Sequence, residues 1–576
     1  MKRLVQWLPI IACVIFLGML GYIALLLRAG IEWSDEGLYL NLMRHPRLYG
    51  TSTSQAGLVY APWMSALSGN IWLLRLSNIT VLTTLFGVLG FFALRPRLQG
   101  QGWGLTALSL LVALSSLFYL QLWLPTPNYN VLNLQGLALT LLLALLARST
   151  TSWSVTQILW FFAGSALALS FQAKPTSAGF AALVLIPCAL TTSRHKFLAL
   201  AVSILGTITT LCVFALITAG GLSAYIEGLQ ASLSLSQALD AGYSLYDMLN
   251  ITRPNLPIWL ILALGAVLML SVVPRYGSLG AAALAALTIT LSALVLLNAF
   301  DLDRFHNIHF GALIGLTAIG LMFAVLITQK QGKAGTLEAI DIALLLMPFA
   351  YWFGSNNSVW YMSNAATAFW VIAALRSALA LRGLCGFGPA FIVSTLTILA
   401  LSDVLDNAID QPYRQDISLR DMHSPLNAEP SLRVSQETAA YEKRLQNAFN
   451  AANFKTGDPV IDLTGRAPGT LYLIKATPVG APWLLGGYEG SEAFARLALA
   501  RFSCTDLTRA LVLIEEGGPR ALPETVLQSF ALSLQDHYTK GTSISAAQGE
   551  TKLQLYKPNS DASDRVKACK AAKKRL

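Results

Sequence analysis

The sequence predicts a polytopic α-helical membrane domain followed by a soluble α/β domain. Two observations carry this. First, 55% of the 576 residues are hydrophobic and only 12% are charged, against about 25% charged in an ordinary soluble domain. Second, the charge is divided unevenly. Residues 1–402 hold 19 Lys and Arg and 10 Asp and Glu, whereas the much shorter segment 403–576 holds 21 and 20. One large water-soluble domain is therefore excluded. Of the net charge of +10, +9 belongs to the membrane part. Basic residues there set orientation, so nucleic-acid binding needs no invoking.

The chain begins Met1-Lys2-Arg3 and continues in an apolar run from about Trp7 to Leu27. This run exceeds the roughly 7–15 residues of a signal-peptide core, and no small-residue cleavage site follows it. It reads as a retained first membrane helix that starts in the cytoplasm. A crossing helix needs about 20 apolar residues. Twelve more candidates centre near residues 85, 113, 139, 164, 184, 208, 265, 289, 319, 346, 371 and 394, which makes about thirteen spans. The pair around 174 is interrupted by Lys174-Pro175, and the span near 184 is short. With the N-terminus inside, 12 Lys and Arg fall on the cytoplasmic side and 7 outside, in the sense of the positive-inside rule. An odd number of spans puts residues 403–576 outside. Eight of the ten acidic residues of the membrane part fall on that outer side, and only Glu338 and Asp341 lie towards the cytoplasmic end.

In residues 403–576, Val460–Leu463, Leu471–Ile474 and Leu511–Ile514 are short apolar runs bounded by turn residues, which suits buried strands. Ser491–Arg501 and Pro523–Leu534 have helical spacing, Lys552–Tyr556 suits a last strand, and the basic tail Lys567–Arg575 reads as a frayed, solvated end. The turn Gly486-Gly487-Tyr488-Glu489-Gly490 lacks the spacing of a nucleotide fingerprint. Six Cys are scattered without metal-ligand spacing. Cys504 and Cys569 are the two in the outer domain, and an oxidising compartment can join them.

The first outer loop, residues 28–75, opens with Ile31-Glu32-Trp33-Ser34-Asp35-Glu36-Gly37-Leu38-Tyr39. Two adjacent carboxylates stand beside aromatic residues close to the bilayer surface. Partial desolvation raises a carboxylate pKa and makes a base; the alternative is a solvated loop with an aromatic interface anchor. Phe300–His309 offers Asp301, Asp303, Arg304 and His306 as sugar, phosphate or metal contacts. Gly354–Tyr361, with Asn356 and Asn357, offers amides and aromatic faces that suit a sugar.

The stretch Trp33-Ser34-Asp35-Glu36-Gly37-Leu38-Tyr39 after the first helix resembles the Asp-Glu motif of the GT-C glycosyltransferases. These include the protein O-mannosyltransferases and the bacterial transferase that adds aminoarabinose to lipid A. Leu73-Leu74-Arg75-Leu76-Ser77 is similar to the stretch that opens their second helix, and Ala173-Lys174-Pro175 lies where many members carry a Lys. The layout of spans plus an outer C-terminal domain also agrees. One departure is the second outer loop, Pro125-Thr126-Pro127-Asn128-Tyr129-Asn130, where many members have a carboxylate. Amides bind hydroxyls but take no proton, so that role must be absent or filled by Asp301 or Asp303.

The resemblance implies an inverting glycosyltransferase of a bacterial cytoplasmic membrane, with the site and C-terminal domain on the periplasmic side. The donor is a sugar on a polyprenyl phosphate, and the acceptor a glycan, lipid or protein. Asp35 and Glu36 become the catalytic candidates; Arg75, Lys174 and Arg304 the phosphate ligands; Tyr39, Asn128, Tyr129, Asn130, Asp301, Asp303, His306, Asn356 and Asn357 the substrate contacts. No metal cofactor is expected. The competing readings are a transporter or flippase of a lipid-linked or polar solute, and a structural subunit. A transporter places its ionisable residues near the bilayer midplane, whereas here they lie at helix ends.

Overall fold

A computed structural model describes residues 2–49, 54–122, 124–192, 196–239, 310–329, 335–355, 357–415, 417–545, 551–559 and 563–575. The candidate spans near 265 and 289, and the residues Asp301, Asp303, Arg304, His306 and Asn356, lie outside this set.

The apolar runs form helices as hydropathy predicts. α1 (Lys2–Leu26) is followed by α2 (Asp35–Arg44), α3 (Ala56–Ala66), α4 (Ile71–Leu94), α5 (Gly102–Ser115), α6 (Tyr129–Ser149), α7 (Trp153–Ala173), α8 (Pro175–Thr192), α9 (Lys196–Ala219) and α10 (Leu222–Ala238). Further helices span Phe310–Gln329, Ala339–Trp352, Thr367–Ala380 and Gly388–Asp410. Among the described residues, seven helices are long and apolar enough to cross a membrane. The first outer loop is not an open loop: α2 and α3 fold within it, and Tyr39, Leu40, Met43 and Tyr60 are buried. α10 follows α9 with no counterpart in the sequence reading.

Small residues set the closest helix approach. A Cβ at Gly164 of α7 would stand 1.8 Å from the Ser203 carbonyl oxygen, and one at Gly206 of α9 would stand 2.0 Å from that of Phe161. Two backbones can touch here only because neither residue has a side chain, a common device where lipid gives no hydrophobic drive for helix association.

Charge is gathered at one end of the bundle. Arg376 pairs with Asp341 (2.5 Å) and Glu338 (3.1 Å), Arg97 with Asp341 (2.9 Å), and Arg148 with Glu338 (2.5 Å). The two carboxylates that the sequence puts at the cytoplasmic end thus meet three of the basic residues assigned to the same side. Arg376 and Asp341 are almost fully buried, so each is held by its partner rather than by water.

Residues beyond Asp410 build a five-stranded mixed sheet in the order β4-β3-β5-β7-β6. β3 (Pro459–Asp462) pairs in parallel with β4 (Thr477–Pro478) and β5 (Leu511–Glu516). β7 (Lys552–Pro558) runs antiparallel to β5 and to β6 (Tyr538–Ser545). β1 (Ser424–Pro425) and β2 (Arg433–Val434) form a separate pair.

Three expectations change. Leu471–Ile474 is not a strand: Pro468 opens a helix, Pro468–Leu473, in keeping with the fit of proline at a first helical position. Pro523–Leu534 is mostly turns around a short helix, Thr525–Gln528. The basic tail is not frayed: Ser563–Lys573 is a helix, fully buried Cys569 is bonded to Cys504, and Lys573 Nζ donates to the Phe502 carbonyl (2.7 Å).

The Cys504–Cys569 bridge closes a loop of 65 residues in sequence separation. The chain-entropy relation puts its contribution at about 4 kcal/mol. Protein purified without reductant and alkylated under denaturing conditions should show Cys504 and Cys569 protected, and Cys13, Cys188, Cys212 and Cys385 modified as thiols outside any disulfide. Full alkylation of Cys504 and Cys569 would contradict the fold of the tail.

Candidate functional site

The motif Glu32–Tyr39 is organised by two carboxylates that face inward. Glu32 caps α2. Its Oε1 accepts from the Ser34 backbone N–H (2.9 Å) and hydroxyl (2.5 Å), and its Oε2 from the Glu36 N–H (3.0 Å). Glu36 returns the contact, accepting the Glu32 N–H on Oε2 (2.9 Å). The exchange satisfies donors that a helix start leaves orphaned. Burial pushes the Glu32 carboxyl up to about 7, while the Ser34 hydroxyl opposes that shift.

Glu36 has no exposed surface, and its other oxygen receives Arg75 Nη2 (2.6 Å), Arg75 Nε (3.1 Å) and the Thr126 hydroxyl. Arg75 also donates to the carbonyls of Leu27 (3.0 Å), Ala29 (3.2 Å) and Gly30 (3.0 Å). All three guanidinium nitrogens are therefore committed within the protein. Arg75, expected as a phosphate ligand, is instead a tie between the end of α1, the start of α2, α4 and the loop before α6. Glu36, expected to be catalytic, is the other half of that tie.

Asp35 is placed differently. It is the first residue of α2 and keeps 17% of its side-chain surface exposed. Its Oδ2 accepts the Tyr413 hydroxyl (2.5 Å) and lies 3.2 Å from Arg414 Nη1, which also donates to the Ser34 hydroxyl (2.6 Å). Arg414 has φ +53°, a left-handed conformation uncommon outside glycine. Tyr413 and Arg414 escaped the sequence reading. They follow the last long helix in an ordinary polar stretch, and no spacing ties them to a motif 378 residues earlier. Tyr39 packs edge-on against Tyr129 with ring centroids 6.0 Å apart. Aromatic residues thus stand around the exposed carboxylate. Burial and the Asp35 charge both raise the Tyr413 phenol far above its ordinary range, so it remains a donor to Asp35.

The amides of the second outer loop divide by role. Asn128, expected as a sugar contact, is the N-cap of α6: its Oδ1 accepts the Asn130 and Val131 N–H groups and the Tyr119 hydroxyl (2.9 Å). Asn130 is buried, and its Nδ2 has no partner among the described residues. Asn357 is exposed, its carbonyl accepting from Trp352 Nε1 (2.9 Å). Lys174 is 8% exposed and donates to the carbonyls of Tyr351 (3.1 Å) and Trp352 (3.2 Å) and to the Ser355 hydroxyl. Its partners are all neutral, and no carboxylate pairs with it among the described residues. Burial lowers the Lys174 pKa to about 7, so an anion beside it would favour the charged form. No group of His, Cys, Asp or Glu suited to a metal occurs among the described residues.

The C-terminal domain is seated on this motif. Gly469 N–H donates to the Trp33 carbonyl (2.8 Å), Asn41 Nδ2 to that of Pro468 (2.9 Å) and Arg44 Nη1 to that of Tyr472 (2.7 Å). Just past the end of α1, the Gly30 N–H donates to the Arg433 carbonyl (2.8 Å) and the Arg433 N–H donates to the Arg28 carbonyl (2.7 Å). A Cβ on Gly37 would lie 2.2 Å from the Gly469 nitrogen, which gives the motif glycine a physical reason. Gly37→Ala should wedge the two domains apart and cost about 1–3 kcal/mol or more. Limited proteolysis should then cut the variant near the 411–435 connection faster than wild type; an unchanged pattern and unfolding temperature would contradict the docking.

No protein-family model and no curated protein matches the chain. Solved structures do. ArnT from Cupriavidus metallidurans bound to undecaprenyl phosphate is 13% identical, covering 96% of this chain and 98% of that one, with a TM-score of 0.41. The same protein in the apo state is 14% identical, covering 94% and 97%, with a TM-score of 0.39. The oligosaccharyltransferase of Archaeoglobus fulgidus in complex with zinc and sulfate is 12% identical, covering 84% of this chain and 64% of that one, with a TM-score of 0.39. Both proteins are GT-C membrane glycosyltransferases, the group that the Asp-Glu motif resembles.

Proposed function

We propose that the chain is an inverting glycosyltransferase that moves a sugar from a polyprenyl-phosphate donor to an acceptor hydroxyl at the outer face of a cytoplasmic membrane. The observation that carries this reading is the division of labour in the motif. Glu32 accepts the Glu36 N–H at the start of α2, Glu36 is consumed by Arg75, and of the three Asp35 alone keeps appreciable side-chain surface exposed, steadied by Tyr413 and Arg414. The acceptor oxygen attacks the anomeric carbon from the face opposite the phosphate. Its proton passes to Asp35, the anomeric C–O bond to phosphate breaks, and polyprenyl phosphate leaves with the bonding pair. Phosphate is a good leaving group, so a cation serves better than an acid on that side. Lys174 is the candidate: no carboxylate pairs with it among the described residues, burial lowers its pKa to about 7, and a phosphate that displaces one of its three neutral acceptors would favour its charged form. A donor anchored in the bilayer reaches such a site sideways, and the acceptor comes from the aqueous side.

Asp35→Asn keeps the size and the bond from Tyr413 but removes the proton acceptor. Transfer of labelled sugar from a polyprenyl-phosphate donor, by purified protein in nanodiscs, should fall roughly 10²–10⁴-fold, with the unfolding temperature little changed. Lys174→Ala should instead raise the KM for the donor. Wild-type turnover by folded Asp35→Asn protein would sink the assignment.

A further inference from the structure

A second site adjoins Asp35 on the side of the outer domain. It is a cavity of about 380 Å³ bounded by Glu32, Trp33 and Ser34 of the motif, by Arg414, and by Arg466, Glu515 and Arg520 of the outer domain. That volume is within the usual range for small-molecule sites, about 300–1,000 Å³. Ser34, the neighbour of Asp35 in sequence, and Arg414, its ion-pair partner, belong to its wall; Asp35 itself does not line it.

The wall carries unspent binding capacity of two kinds. Arg520 is half-buried and makes no hydrogen bond or ion pair among the described residues. Its backbone is closely seated: a Cβ on Gly465 or Gly486 would stand 1.9 or 1.8 Å from its carbonyl oxygen, and one on Gly487, at φ +87°, 3.0 Å from its Cγ. The glycine-rich turn that matches no nucleotide fingerprint therefore serves as the seat of this arginine. Glu515 is the complement. Its side chain is fully buried; Oε1 accepts from Arg466, and Oε2 has no partner among the described residues. An unpaired buried carboxylate oxygen is costly, and a ligand hydroxyl relieves that cost. Trp33 and Tyr441, packed edge-on at 5.1 Å, add aromatic surface.

We propose that this cavity binds a sugar unit bearing an anionic group, phosphate or carboxylate, as part of the acceptor. Arg520 takes the anion, Glu515 Oε2 takes a sugar hydroxyl, and the Trp33–Tyr441 wall meets the apolar face of the ring. The acceptor role rests on the transferase reading above; the binding chemistry does not.

The test uses the full chain in nanodiscs, without donor, and follows a hexose 1-phosphate and a hexuronate by saturation-transfer NMR, with the neutral hexose and inorganic phosphate as competitors. At least one anionic sugar should bind at millimolar concentration, and which one identifies the anion. The neutral hexose and inorganic phosphate should each compete more weakly. Arg520→Ala should weaken binding roughly tenfold or more, and Arg520→Lys should recover part of it. In the transfer assay Arg520→Ala should raise the acceptor KM and leave that of the donor alone. Equal competition by inorganic phosphate would overturn the sugar contacts. Wild type and Arg520→Ala binding alike, or neither binding, would overturn the site. Probe binding lost in Arg520→Ala, with no sugar transfer by wild type, would uphold the site and remove the transferase reading instead.

Discussion

The buried pair between Glu36 and Arg75 is the constraint on which the candidate site depends. Taking either charge out of water costs several kcal/mol, and attraction alone seldom repays it. Here the repayment comes from the carbonyls at the end of α1. Those of Leu27, Ala29 and Gly30 receive Arg75, and the Thr126 hydroxyl joins the pair at Glu36. One guanidinium thus fixes three stretches that lie far apart in sequence, 27–36, the start of α4 and the loop before α6. Because Asp35 precedes Glu36 on the same helical turn, fixing Glu36 also fixes where Asp35 emerges. Helix geometry then points the two neighbours in different directions, one into the protein and one to its surface.

The outer domain completes the same arrangement. It reaches the motif through backbone contacts, as between Gly37 and Gly469, and through Arg44, whose guanidinium lies 3.6 Å above the Tyr472 ring. The connection from the last long helix supplies Tyr413 and Arg414 to Asp35. The C-terminal domain is therefore a wall of the site. Under the proposed function, that gives the domain a physical reason: a water-borne part of the acceptor would need surfaces the bilayer cannot provide.

How much of this was legible in the sequence depends on the range of the interaction. Hydropathy located the described long helices because a lipid-facing helix must be apolar along its whole length. β3 and β5 were visible as short apolar runs between turns. Leu471–Ile474 looks the same over four residues, yet it is helical; short apolar runs do not distinguish the two periods, and Pro468 was the better signal. The Asp-Glu motif was visible, but the separate fates of its carboxylates were not, since Arg75 could as well have served a phosphate. Asn128 reads as an amide for sugar until its oxygen is seen capping α6. Tyr413, Arg414, Glu515 and Arg520 come to the site only through domain docking, which no local pattern encodes. The Asp301–His306 group lies outside the described residues.

The central claim is that adjacent carboxylates do different work: Glu36 holds the fold and Asp35 serves the chemistry. A double-mutant cycle tests it directly, with unfolding free energy measured for Glu36→Gln, Arg75→Gln and the pair, and again with Asp35→Asn in place of Glu36→Gln. Either Glu36→Gln or Arg75→Gln leaves a buried partner stranded, so each single variant should be destabilised by about 3–5 kcal/mol. The double variant should be less destabilised than their sum, with a coupling of about 1–3 kcal/mol. Asp35→Asn should add to Arg75→Gln with little coupling. Additive effects for Glu36 and Arg75, or coupling as strong for Asp35, would contradict the account.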